Sequence, residues 1–242
     1  MYPLQHEMSD LRSEYLPVRR TARIALLGRP GPQVRELWYV LHGYGQLAAE
    51  FLASCRALDD ERRLIVAPEA LSRFYDGDLA TRIAQKDPKV GASWMTREDR
   101  LTDIADNLSY LDAVHANIAG RLGDGAPRVT VLGFSQGAAT STRWVAQGTL
   151  AVARHVVWGA AMAHDVDLAD TASPLRRPET VLVVGTRDHF ATPKVVAAEL
   201  ARLESVRFPV RALSFDGGHR MDDDTLRALA GRPTDADATG AM

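Results

Sequence analysis

The sequence predicts an α/β fold, a mostly parallel central sheet with helices on both faces. Three observations carry that expectation. Short β-rich apolar runs alternate along the chain with stretches of helical spacing. Several of those runs are apolar throughout, as strands covered on both faces are. At 242 residues, 46% of them apolar, the chain is long enough to bury a substantial core in one large domain.

Taken in order, strands are expected at 23–27, 37–41, 64–67, 129–132, 155–158, 181–184 and 210–215. Val129, Val131 and Leu132, and the run Val181, Leu182, Val183 and Val184, have the composition of central strands. Helices are expected at 48–58, 100–122, 136–147, 193–203 and 222–229. The longest spaces Leu101, Ile104, Leu108, Leu111, Val114 and Ile118 by three and four, which predicts one buried stripe. Segment 71–96 is mixed in character and punctuated by Asp76-Gly77 and Asp87-Pro88, so it reads as an irregular excursion at the carboxyl edge of the sheet. Residues 1–230 are read as a single domain and the small, polar 231–242 as a frayed tail.

Composition excludes several classes of function. The formal charge is −2, with Lys and Arg scattered, so no nucleic-acid footprint is visible. No run approaches the roughly 18 apolar residues of a membrane span, and the first twenty residues lack a signal peptide's apolar stretch and cleavage pattern. The single cysteine, Cys55, rules out an internal disulfide framework and a Cys-rich zinc site, and reads as a small buried residue on a helix. Asp222-Asp223-Asp224, beside His219, could suggest a metal site. Consecutive residues on a helix start point apart, so a solvated first turn is expected and no metal. The expectation is a cytoplasmic protein with a small-molecule partner, and the composition is compatible with a homodimer.

The chemistry centres on Gly133-Phe134-Ser135-Gln136-Gly137, which joins an apolar strand to a helical stretch rich in small residues. With Gly at about 7% of residues, the G-x-S-x-G pattern alone would occur in about one chain in fifteen of this length. Its strand–turn–helix setting makes it specific, because a tight turn presents the serine above the sheet and flanking glycines let the two backbones approach. A serine hydroxyl needs a base within hydrogen-bonding reach and an acid to orient that base, in the chain order Ser, Asp or Glu, His. His219 follows the last strand through Asp216-Gly217-Gly218 and is the last histidine. The others compare poorly. His6 precedes the sheet, His42 precedes Ser135, His115 lies in the long helix and His155 begins a strand. His164 and His189 would leave a later histidine unexplained. Asp188 follows the penultimate strand and is the favoured acid, with Asp165, Asp167, Asp170 and Asp216 as rivals. Oxyanion donors are expected at the backbone N–H of Gln136 and, in the loop His42-Gly43-Tyr44-Gly45-Gln46, of Tyr44.

Leu41-His42-Gly43-Tyr44-Gly45, Ala67-Pro68-Glu69-Ala70, Ser93-Trp94, the elbow and Gly217-Gly218-His219 together resemble the phospholipase/carboxylesterase branch of the α/β-hydrolases, which includes the acyl-protein thioesterases. The resemblance spans about 38–219. It implies ester or thioester hydrolysis without a cofactor, a triad of Ser135, Asp188 and His219, and oxyanion donors at Tyr44 and Gln136. The sequence departs from the family at Ala138, at Met95-Thr96 and in the stretch from Asp188 through His189 and Phe190 to Pro193, so substrate choice is not carried over. Trp94, Met95, Phe190, Trp158 and Met162 are candidates for an apolar acyl pocket. Rival readings on the same fold are peptide or C–C bond hydrolysis, and a ligand-binding homologue without turnover.

Overall fold

The computed structural model describes residues 12–123 and 126–231. Seven strands form one sheet in the order β1-β3-β2-β6-β7-β8-β9: β1 Ile24–Leu27, β2 Glu36–Leu41, β3 Arg63–Pro68, β6 Arg128–Phe134, β7 Arg154–Trp158, β8 Glu179–Gly185 and β9 Arg211–Phe215. All neighbours are parallel except β1, which runs antiparallel to β3 with Leu27 opposite Ile65. Each of the seven runs expected from sequence corresponds to one of these strands, with ends shifted by at most two residues.

Helices cover both faces, which is why strand residues of either parity are apolar. On one side α3 (Arg100–Ala119), α4 (Gln136–Gln147) and α5 (Pro193–Ser205) enclose Leu37, Tyr39, Leu41, Val131 and Val157. On the other, α1 (Ala48–Ala53) and α6 (Asp223–Leu229) enclose Trp38, Val40, Leu132, Val156 and Val183. Cys55, just after α1, is fully buried in this second layer. Burial pushes its thiol up to about 12, because nothing nearby stabilises a thiolate enough to offset the loss of water.

Three expectations are corrected. The helix expected over 48–58 is α1 followed by a separate 3-10 turn, Arg56–Leu58. The buried stripe of α3 holds at Leu111, Val114 and Ile118, but Leu101 is 73% exposed, so the stripe does not reach the first turn. The excursion at 71–96 is ordered. Its β4 (Ser72–Tyr75) and β5 (Val90–Ser93) pair antiparallel as a separate two-stranded sheet, joined through α2 (Leu79–Ala84). Apart from Gly231, the expected tail lies outside the described residues. Among the described residues no helix is long and apolar enough to cross a membrane.

Candidate active site

The parallel strands deliver their carboxyl ends to one edge, and the loops leaving β2, β6, β8 and β9 meet there. Ser135 follows β6 directly and caps α4 with φ 54° and ψ −119°, an uncommon conformation for a residue with a side chain. The turn is held by its neighbours: Ser135 N–H donates to the Trp158 carbonyl at 2.9 Å. The two elbow glycines are steric requirements. A β-carbon on Gly137 would stand 2.3 Å from the Leu41 carbonyl oxygen, and one on Gly133 2.3 Å from that of Gly137. The sharp turn thus packs backbone against backbone where no side chain fits.

His219 and Asp188 are brought together by the pairing of β8 with β9. The loop after β8 is tied to the loop after β9 by Arg187 N–H donating to the Gly217 carbonyl at 2.8 Å. His219 Nδ1 donates to Asp188 Oδ2 at 2.7 Å, while Asp188 Oδ1 accepts the Phe190 and Ala191 N–H groups at 2.8 and 2.9 Å. Burial alone would raise the Asp188 carboxyl. These three bonds and the imidazole outweigh it and hold the group below the usual carboxylate range. With Nδ1 committed to a carboxylate, Nε2 is the basic nitrogen of the neutral ring. The imidazole is in contact with two aromatic rings, Phe134 at 4.7 Å and Phe190 at 4.8 Å. Phe134 immediately precedes Ser135, so the ring is set against the elbow. Neither Ser135 Oγ nor His219 Nε2 makes a hydrogen bond among the described residues.

The rival groups have other partners. His42 is buried, donates from Nδ1 to the Gly43 carbonyl at 2.7 Å and accepts Ala70 N–H at Nε2, 3.1 Å. Burial holds it below the usual imidazole range despite Gly43 and Glu69. His115 bonds the Tyr39 hydroxyl at 2.9 Å, and His155, pushed down to about 3 by complete burial, bonds Ser141 at 3.0 Å. His164 and His189 are exposed. Asp165 is paired with Arg143 and Arg100, Asp216 with Arg187, and Asp167 and Asp170 accept backbone N–H groups of their own turns. Asp222 caps α6 through Thr225 N–H at 3.1 Å.

On the oxyanion side, Gln136 is the first residue of α4, so its N–H has no acceptor within the helix. Tyr44 N–H likewise has no backbone partner among the described residues. The Tyr44 ring is exposed and stacks on Phe74 of β4 at 5.0 Å. The five acyl-pocket candidates separate. Phe190 is 74% exposed beside His219, and Met95 is half-buried. Trp94, Trp158 and Met162 are buried in the core layers, and both tryptophans use their indole N–H to brace a loop of the site. Trp158 donates to the Arg220 carbonyl at 3.0 Å, next to His219, and Trp94 donates to the His42 carbonyl at 2.8 Å. The sequence alone does not single out this bracing, nor Phe134 against His219, nor Gln46, whose Oε1 accepts Gly43 N–H at 2.8 Å. The available signal was that a buried indole needs an acceptor.

A family model described as Serine hydrolase (FSH1) matches residues 37–222, a span that includes Ser135, Asp188 and His219. Among solved structures, acyl-protein thioesterase 2 from Zea mays aligns with a TM-score of 0.63 at 16% identity, covering 87% of this chain and 99% of that one. Esterase PE8 aligns at 0.60 and 20% identity, covering 88% and 97%. A phospholipase/carboxylesterase from Dyadobacter fermentans aligns at 0.60 and 17%, covering 89% and 97%. At these identities the likeness is one of fold. No curated protein matches the sequence.

Proposed function

The chain belongs to the serine hydrolase family FSH1, and from that premise we propose that it cleaves carboxylic esters or thioesters of small molecules through an acyl-enzyme on Ser135. The observation that carries the reading is the 2.7 Å bond between Asp188 and His219 Nδ1, which leaves Nε2 as the basic nitrogen at the sheet edge where Ser135 sits on a strained elbow. His219 Nε2 takes the Ser135 proton as Oγ attacks the carbonyl carbon. The developing oxyanion is received by the N–H groups of Tyr44 and Gln136. His219 then protonates the departing alcohol or thiol, and water repeats the sequence on the acyl-enzyme. Asp188 stays ionised and holds the ring.

The ester and thioester names of the structural neighbours support this class of bond. All of the machinery lies within one chain, so the reading holds for a monomer or a homodimer. The cytoplasm is the proposed location, supported by a lone cysteine that is buried and free. Incubation with a fluorophosphonate tests the nucleophile: wild type is labelled at Ser135 and hydrolyses p-nitrophenyl esters, whereas Ser135→Ala does neither. Labelling of that variant at the wild-type rate would overturn the assignment.

A further inference from the structure

We propose that Trp94 is a positioning residue for the oxyanion hole, because its two N–H groups hold the two halves of that hole at once. The inference rests on Ser135 being the nucleophile, and it adds what keeps the donors in place.

The backbone N–H of Trp94 donates to Gln136 Oε1 at 3.0 Å, and the indole N–H donates to the His42 carbonyl at 2.8 Å. One residue therefore spans the elbow and the loop after β2. The peptide between His42 and Gly43 is pinned on both sides, its oxygen by the Trp94 indole and its N–H by Gln46 Oε1. With that plane fixed, the following N–H, of Tyr44, is left without an acceptor among the described residues. The Gln136 side chain is held equally firmly, since its Nε2 donates to the Met95 carbonyl at 2.9 Å while its Oε1 accepts from Trp94. This fixes the first residue of α4, whose own N–H is the second donor.

Trp94 is in turn held from outside the site. Its side chain is 2% exposed, its ring lies 5.1 Å from that of His42, and its carbonyl accepts from Asn107 Nδ2 of α3. The strand before it, β5, runs close along the same loop. Gly45 N–H donates to the Ala92 carbonyl at 2.9 Å, and a β-carbon on Gly91 would fall within 2.9 Å of the Gly45 backbone. The excursion thus reaches the site as a hydrogen-bonded, closely packed brace. Peptide donors help a transition state only when aimed in advance, and a misplacement of about 1 Å costs on the order of 100-fold in rate.

Trp94→Phe keeps the ring and removes the indole N–H, and Gln136→Met keeps the Gln136 backbone donor while removing the acceptor of the Trp94 amide. With a p-nitrophenyl ester, each variant is expected to lose about 10- to 100-fold in kcat per active site counted by fluorophosphonate titration, with KM within threefold. Phosphonylation should slow by the same factor, because the phosphoryl oxygen occupies the same hole. The double variant should lose less than the product of the two, since both bonds hold one structure. The proposal is overturned if the variants keep wild-type kcat and labelling rates per titrated site, or if the whole loss lies in KM or in the number of titratable sites. Should Trp94→Phe fail to fold, Gln136→Met decides by the same criteria. A wild type unlabelled at Ser135 would instead bring down the hydrolase reading itself.

Discussion

Asp165 and Asp188 stand a few residues beyond the carboxyl ends of neighbouring parallel strands, β7 and β8, and both carboxyl groups are held below their usual range. In each, burial alone would raise the carboxyl and the bonded partners outweigh it. The partners differ in kind. Asp165 faces guanidinium groups, Arg143 and Arg100, each at 2.9 Å. Asp188 faces the imidazole of His219 and two backbone N–H groups. A guanidinium stays protonated at any working pH, so Asp165 closes an ion cluster that can pass no proton. An imidazole can take up and release a proton, so in the proposed mechanism Asp188 orients the group that acts as base. A place at a strand end is therefore shared by acids of different use, and the partner decides between them.

Exchanging each acid for its amide tests that contrast. Asp188→Asn should lower kcat by about 10³- to 10⁴-fold, because an amide cannot hold Nδ1 protonated and Nε2 basic. Asp165→Asn should leave kcat within about threefold. A larger loss at Asp165 than at Asp188 would reverse their roles. The second effect is on stability. Arg143 is 5% exposed, so loss of its carboxylate partner leaves a nearly buried cation. The cost is about 2 kcal/mol at pH 7, discounted from the roughly 3–5 kcal/mol of a fully buried pair because Asp165 is a third exposed.

The pH dependence of that cost has a definite sign. A carboxyl whose folded pKa is depressed contributes fully above its unfolded value of about 4, and the contribution fades as pH falls through the lower folded value. The Tm gap between wild type and Asp165→Asn should therefore be constant from pH 7 to about 5 and close below about 4. A gap that widened in acid would mean that the cluster is not an ion pair. The smallest effect belongs to Phe190. Its exposed ring covers His219 on one side, and Phe190→Ala should raise KM about two- to tenfold, the worth of one aromatic contact. A loss confined to kcat would make the ring a support for the imidazole rather than a surface for substrate.

The parts of this molecule legible in the sequence are those governed by local rules. Strands such as Val181–Val184 announce themselves because both faces are buried, and the elbow does so because Gly133 and Gly137 admit no substitute. Ser72–Tyr75 and Val90–Ser93 do not, since each is four residues long, mixed in character and stabilised by a partner about twenty residues away. Leu101 fits the helical period and is still exposed, because periodicity states which side of a helix is apolar, not how far along the helix that side is covered. The pocket candidates show the same limit. The large apolar surface of Trp94 and Trp158 predicts a pocket, whereas in the structure that surface is buried in the core and the single polar side-chain atom of each serves the site.

The burial of Cys55 carries a consequence for thiol chemistry. With a thiol that is fully enclosed and pushed up to about 12, the folded chain offers no thiolate at neutral pH. A thiol released from a thioester would find no sulfur on the enzyme with which to form a mixed disulfide. A chromogenic thiol reagent added to the folded protein should thus report only released product, turnover by turnover, against a blank set by the reagent alone.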